Sequence, residues 1–400
     1  MKILIPYEIN TTGKRNPFLF LLARALRSNP DVEQLGHGFG WLREEGEWDI
    51  IHLHWPEALA ESVLPGAFID TGVGDSQIEE LTRLLSDWKR KGARILLTVH
   101  NTRPHAKAPG AERLYNEIYR LTDGFIHMGR RSEELFEENV RPANRDTSPE
   151  SGLSDTDSDF TTPASGSASG TSTAGSTPAS FVIPHGDYSI FPDRTDRQAA
   201  RKKLNERTGE KLQIEPSTRL ILAFGAIRNR QELELGIDAF SQASLDDTAY
   251  LMAGKLPYRF KSNPKHFSSR KKLYLNRWNK RILTDERIIM PEEVQYYLNS
   301  ADLLFIPRLD TLNSGNVALG FTFGRVVAGP DVGVIGEILK ETGNPVFNPK
   351  SADSAAGAIK RGLQMADEGH GEANRSYCKE KMNWNRIAEM HLEVFKELKD

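Results

Sequence analysis

The sequence predicts an α/β fold built from two βα domains in series, facing each other across a cleft. Three observations carry this. Short apolar, β-branched runs alternate with helical patterns through both halves of the chain, as expected for parallel sheets covered by helices. The alternation stops and restarts around Asp187–Ser217. Finally, the stretch Asp302–Glu337 reads DLLFIPRLDTLNSGNVALGFTFGRVVAGPDVGVIGE, a strand, a polar loop, a helix and a second strand. Its loop, Arg308 to Gly315, falls at the carboxyl end of a strand, where open α/β sheets bind ligands. Asn313, Ser314 and Gly315 open the helix, so free N–H groups and the positive end of a helix dipole face that loop, and a diphosphate is the natural guest.

Size and composition agree. A chain of 400 residues is too long for one ordinary core. With 38% hydrophobic and 27% charged residues it reads as globular and soluble. A formal charge of −3 gives no global drive toward nucleic acid or membrane. The single cysteine, Cys378, excludes an intrachain disulfide framework and a zinc cluster of cysteines, and it fits a reducing compartment. MKILIPYEI is too short and polar for a signal peptide and reads as a first strand. No stretch reaches the roughly 18 apolar residues of a membrane span. The expected location is cytoplasmic, with room for peripheral contact at the inner face of a membrane.

In the first half, strands are expected at Lys2–Pro6, Trp48–Leu53, Ala93–Val99, Gly124–Met128 and Phe181–Pro184. One helix begins at Asn16-Pro17, an N-cap residue followed by proline. Others cover Gln77–Lys91, Ala111–Leu121 and Arg131–Asn139. In the second half, strands are expected at Arg219–Phe224, Ala249–Met252, Arg287–Met290, Leu303–Pro307 and Val326–Ala328. Helices are expected at Gln231–Ala243, Glu292–Ser300, Gly315–Phe323, Ala352–Ala366 and Trp384–Leu398. The last carries Ile387, Met390, Val394 and Leu398 as a one-face apolar stripe. The domains are thus residues 1–190, residues 215–380, and a helix in 381–400 that crosses back onto the first.

Two stretches interrupt the pattern. Residues 144–180 are rich in Ser, Thr, Gly, Pro and Asp, too polar to offset the entropy of ordering, and are expected to form a disordered loop in the first domain. Asp155, Asp157 and Asp159 within it resemble the start of a calcium loop, but Phe160 and Gly166 stand where Gly and Glu are needed. Residues 259–281 are strongly basic, with Phe267, Tyr274 and Trp278 interleaved. That composition suits a solvated amphipathic helix, anionic lipid headgroups, or single-stranded nucleic acid. No nucleic-acid partner is expected, and the third reading stands only if single strands bind with a steep salt dependence.

Several segments together resemble the GT-B glycosyltransferases of the large "group 1" family, in particular a bacterial subgroup of surface-polysaccharide assembly with an Asn-Ser-Gly donor loop. They are Asn16-Pro17-Phe18, IIHLHWPE (Ile50–Glu57), LLTVHNTRPH (Leu96–His105), VIPHGDY (Val182–Tyr188), FGAIRN (Phe224–Asn229), VQYYLNSADLLFIP (Val294–Pro307) and Leu312–Glu337. The resemblance implies two Rossmann-like domains, the donor mainly in the second and the acceptor mainly in the first. It implies a nucleotide-diphosphate sugar as donor, a saccharide or lipid-linked saccharide as acceptor, and no metal or other cofactor. The family loop after the first strand of the second domain carries an Arg and a Lys for the phosphates. Here Arg228 matches the Arg, Gln231 stands at the Lys position, and Arg230 is a substitute. Two glutamates common in relatives fall on Thr311 and Leu319. These departures leave open a non-catalytic partner that keeps the fold and binds nucleotide or glycan.

The donor-binding candidates are Gly225, Arg228, Arg230, Asn313, Ser314, Gly315 and Glu337. A guanidinium past a strand end can grip two phosphate oxygens, and Glu337, after the glycine-rich turn Gly333–Gly336, can accept from ribose hydroxyls. His100, at a strand end facing the cleft, is a candidate general base or sugar contact, and Glu8 is an alternative base. His52 and His54 share one face of a strand, but no third metal ligand stands near. His54, Trp55, Asn101 and His185 are expected on the acceptor side, with Trp55 a platform for a sugar.

Overall fold

The computed structural model describes residues 1–9, 17–63, 72–103, 109–140, 178–208, 214–257 and 281–400. Asn16, the Asp155–Asp159 triplet, most of the Ser/Thr-rich loop and the basic segment up to residue 280 lie outside the described residues. The last residues of the expected loop, Ala179 and Ser180, are part of a strand.

The first domain threads β1 (Lys2–Ile5), α1 (Phe18–Arg27), β2 (Gln34–His37), β3 (Ile50–Leu53), α2 (Pro56–Val63), α3 (Asp75–Arg90), β4 (Arg94–Thr98), α4 (Ala111–Leu121), β5 (Gly124–His127), α5 (Arg130–Asn139) and β6 (Ala179–Val182). The second threads α6 (Arg197–Arg207), β7 (Arg219–Phe224), α7 (Arg230–Ala243), β8 (Thr248–Ala253), β9 (Ile282–Asp285), α8 (Val294–Ser300), β10 (Leu303–Phe305), α9 (Gly315–Thr322), β11 (Val326–Pro330), α10 (Gly333–Glu341), β12 (Val346–Phe347) and α11 (Ala352–Asp367). It is followed by α12 (His370–Lys381) and α13 (Trp384–Lys399).

Each domain holds a six-stranded sheet, in the orders β2-β1-β3-β4-β5-β6 and β12-β11-β10-β7-β8-β9. All recorded pairings are parallel. The inner strands are mostly apolar because helices bury both faces: β3, β5, β8 and β10 expose no residue, His52 of β3 and His127 of β5 included. Strand order reverses between β1 and β3 and again between β7 and β10. Crevices at such switch points are where doubly wound sheets bind ligands. The loops after β1, β3, β7 and β10 are therefore the ones to inspect.

The expected strand at Arg287–Met290 is instead an unpaired connection, and the ninth strand is Ile282–Asp285. Arg287 turns back to pair with Asp285 at 2.9 Å, and Ile288 is 84% exposed, so its apolar residues mark no buried strand. Gly333–Gly336 is the first turn of α10 rather than a free turn. Edge strands β2 and β12 carry too little apolar pattern to be read from sequence.

Helix α13 packs against α1 of the first domain. Its buried face is Trp384, Ile387, Ala388, His391, Leu392, Val394 and Phe395, while Met390 and Leu398 lie at its margin. Trp384 fixes the crossing by donating Nε1–H to the Asp187 carbonyl at 2.8 Å.

Candidate functional site

The second-domain wall of the cleft starts at Gly225, where β7 ends. Its φ of +90° is a left-handed conformation that glycine adopts without strain, and a Cβ there would meet nothing within 4 Å, so the backbone borders open space. The following loop is fixed from both sides. Asn229 caps α7 by accepting the Glu232 N–H at 2.9 Å. The Glu232 carboxylate accepts the Arg228 N–H at 2.8 Å and Arg308 Nη1 at 2.5 Å. Arg308 Nη2 also donates to the Ala226 carbonyl at 2.8 Å. Glu232 and Arg308 are both buried, so this pair ties the end of β10 to the loop after β7. It leaves the Arg228 side chain exposed. The surrounding wall and then Arg308 lower the Arg228 pKa, while Glu232 opposes them. Arg230 is engaged along its own helix with Glu234 at 2.9 Å.

Opposite this loop stands the start of α9. The Ser314 hydroxyl caps the helix by accepting the Asn316 N–H at 3.3 Å, and Asn316 donates its side-chain amide to the Phe224 carbonyl at 2.8 Å. The helix end and the β7 loop thus belong to one rigid edge. A Cβ on Gly315 would lie 2.2 Å from the Tyr188 hydroxyl, so only glycine lets the interdomain segment approach this helix end. Asn313 reaches across the cleft, donating to the Val99 and His100 carbonyls at 3.3 and 3.1 Å.

The first-domain wall is made of rings. His100 stacks on Trp55 with centroids 4.1 Å apart and meets the edge of Phe18 at 5.2 Å. Behind it stand His54, His52 and His391, each nearly inaccessible. His54 Nδ1 lies 3.1 Å from His100 Nε2, and His52 Nε2 lies 2.8 Å from the Thr98 hydroxyl. The His52 ring is 4.3 Å from that of His54 and 5.4 Å from that of His391. Tyr7, at the end of β1, receives the His54 N–H at 3.0 Å and donates to the Trp55 carbonyl at 3.3 Å.

Burial holds all four rings neutral near pH 7. Desolvation pushes His100 down to about 3, helped by His185, and His391 to about 4 against its bond to the Ile387 carbonyl. His52 and His54 fall well below the usual value for the same reason. We assign the His54 proton to Nδ1, since this leaves its partnerless buried Nε2 as an acceptor rather than an orphaned donor. His100 then accepts at Nε2 and carries its own proton on Nδ1. A ring so weakly basic suits hydrogen-bond donation to a neutral hydroxyl better than proton abstraction.

Other candidates separate. His54 is 1% exposed, so it reaches a ligand only through His100. One face of Trp55 is already covered by His100. Glu8 is exposed at the end of β1, beside Gly38 rather than among the rings. His185 packs on Phe18 at 5.1 Å and Tyr188 at 5.5 Å, with Nδ1 2.6 Å from the Gly186 carbonyl. Asn101 sits half-buried next to His100. Each carboxylate oxygen of Glu337 accepts one backbone N–H, from Arg130 and Arg131 at 2.9 Å each, capping α5 of the other domain, so a ribose hydroxyl would share a carboxylate with that cap. Among the described residues no group of three His, Cys, Asp or Glu is placed to hold a metal ion, and no helix is long and apolar enough to cross a membrane.

Sequence reading missed Glu232 and Arg308. The first was findable: Asn229 followed three residues later by Glu is a capping signature. Arg308, directly after an apolar strand, offers no such signal, because its partner is distant in sequence.

No family model and no curated protein sequence matches the chain. Solved structures do. The chain aligns over 100% of its length with 99% of the sucrose-phosphate synthase of Thermosynechococcus elongatus, at a TM-score of 0.63 and 14% identity. It aligns over 99% with 100% of Anabaena HepE, solved in complex with UDP-glucose, at 0.62 and 12%. A glycosyltransferase from Rickettsia africae gives 0.62 and 12%, covering 99% of this chain and 98% of that one. The chain has their fold. It is the two-domain GT-B arrangement anticipated from the sequence motifs, found here over essentially the whole length of each relative.

Proposed function

We propose that this protein is a GT-B glycosyltransferase of the hexosyltransferase class, moving a sugar from a nucleotide-diphosphate donor to a saccharide or lipid-linked saccharide acceptor in surface-polysaccharide assembly. One observation carries the reading: an exposed arginine, Arg228, shares a rigid edge with the amino end of α9, and a wall of neutral rings ending in His100 and Trp55 stands across the cleft. The first is chemistry for a diphosphate, the second for a polyol. Arg228, with Arg230 beside it, and the Ser314–Gly315 helix end would stabilise the negative charge that grows on the leaving diphosphate. His100 would donate to a sugar hydroxyl. In this reading the arginines and helix end take the place of a divalent cation. HepE's complex with UDP-glucose, on the same fold, makes a uridine donor the first choice.

The test is a thermal-shift panel of UDP-, GDP-, ADP- and dTDP-sugars. A ligand at 100 times its dissociation constant adds about 2.7 kcal/mol of stability, and one base should stand out. No shift with any of them, from folded protein, would defeat the donor-site assignment. Transfer to an acceptor panel should then proceed equally with and without EDTA, and an EDTA-sensitive rate would remove the metal-free mechanism. Thr311, Gln231 and Leu319, at positions where relatives carry charged residues, favour a second reading as a non-catalytic nucleotide-binding partner. That reading predicts binding without turnover. The reaction is placed in the cytoplasm, with the basic segment 259–281 as the candidate contact for an anionic membrane.

A further inference from the structure

Between α5 and α10 the two domains enclose an open pocket of about 770 Å³, within the range of small-molecule sites. It lies at the carboxyl ends of strands from both sheets: Arg103 follows β4, Arg130 follows β5, Asp310 and Leu312 follow β10, and Gly333 follows β11. Most of its charge is already paired. Arg131 binds Glu134 at 2.8 Å, Lys340 binds Asp331 at 2.6 Å, and Glu337 caps α5. Three charged side chains remain: the guanidiniums of Arg103 and Arg130 and the carboxylate of Asp310. All three are exposed, and among the described residues none has a side-chain hydrogen bond or ion pair.

Two unpaired guanidiniums on separate loops of one pocket are suited to grip a single anionic group from two sides. A free carboxylate beside them accepts from hydroxyls. Leu312, in the pocket wall, immediately precedes Asn313 of the edge assigned to the donor, so a molecule held here lies next to that edge. We propose that this pocket is the acceptor site and that its occupant is an anionic saccharide, whose phosphate or carboxylate is held by Arg103 and Arg130 and whose hydroxyls meet Asp310. The inference rests on the glycosyltransferase reading above and adds the chemical class of the acceptor.

Calorimetric titration of the full chain with glucose 6-phosphate, glucuronate and glucose tests it, with UDP as an independent ligand. One of the two anionic sugars should bind at least about tenfold more tightly than glucose, the least expected for hydrogen bonds to a charged group. Which one does so identifies the anionic group. The double variant Arg103→Ala/Arg130→Ala should lose that margin, each single variant part of it, and Arg131→Ala, whose guanidinium is already paired, none. UDP should bind the double variant as it binds the parent. Equal binding of the three sugars, or a margin that survives the double variant, would overturn the proposal. So would loss of UDP binding in a double variant with an unchanged circular dichroism spectrum, since that puts the arginines in the donor site. A parent that shows the margin but binds no UDP upholds the anion pocket and removes the uridine donor instead.

Discussion

His100 faces the cleft from a stack of neutral rings, whereas Arg228 faces it from a loop held by a buried ion pair. Both walls put ionisable groups in the interior, and they meet the cost of burying charge in opposite ways. In the first domain four histidines give up their charge, and three of them keep a ring nitrogen with no partner. In the second, Arg308 and Glu232 are buried as an ion pair, each set against the other's opposite charge. The difference matches the two halves of the proposed donor, since neutral rings suit hydroxyls and a fixed positive edge suits phosphates. It also gives the walls different weaknesses: protonation for the first, removal of a partner for the second.

Acid should produce the largest effect. His52, His54, His100 and His391 all have folded-state pKa values below the unfolded value. Below that value the unfolded chain takes up protons that the folded chain refuses. The stability they contribute is therefore complete above about pH 6.5 and is lost as pH falls, down toward the folded values. Each ring contributes about 1.4 kcal/mol of loss per unit, so four give roughly 5 kcal/mol by pH 5.5. Urea midpoints at pH 7.5 and 5.5 measure this, and His391→Leu should reduce the slope by one ring's share. A profile flat over that interval would mean that the rings take up protons while folded.

Next comes Glu232→Ala. It leaves Arg308 buried without a counter-charge, and breaking a buried pair from one side costs about 3–5 kcal/mol. It also frees the Arg228 N–H, so donor affinity should fall along with the melting temperature. Glu234→Ala, which removes a partly exposed pair with Arg230, should cost less than about 1 kcal/mol. If the two variants melt alike, the second-domain wall is not held as described.

How much of this was legible in the sequence depends on whether its cause was local. The helix start at Asn313–Gly315 and the arginine after β7 were legible, because a polar loop at a strand end is a local pattern. The two domains were legible from alternating apolar runs. Not legible were contacts made by tertiary placement: Arg308 reaching Glu232, Glu337 capping a helix of the other domain, and His391 closing a column whose other members lie over 290 residues earlier. On α13 the expected stripe faces the core, with Ile387 and Val394 buried and Met390 and Leu398 packed at its margin. The polar or aromatic residues that share that face, His391 and Phe395, are set by the His52 ring of β3 that both meet. Arg287–Met290 was misread, since an apolar run signals a strand only if something covers it.

The smallest effect separates ligand binding from architecture. Arg228 and Arg230 are near neighbours on the same edge, but only Arg230 has an acid beside it on its own helix. An arginine already paired to Glu234 must break that pair to meet a phosphate, and this offsets part of what the new contact contributes. Arg228→Ala should weaken binding of the preferred nucleotide sugar by about 1.5–3 kcal/mol, the range for a hydrogen bond to a charged group. Arg230→Ala should weaken it by less, and neither should lower the melting temperature of the unliganded protein by more than Glu234→Ala does, because neither side chain is part of the Glu232–Arg308 pair. Titrating both variants with the same donor gives the ordering directly. Equal losses would show that Arg230 leaves Glu234 when the diphosphate arrives. Unchanged affinity in Arg228→Ala would remove that residue from the donor site and leave the α9 helix end to hold the phosphates by itself.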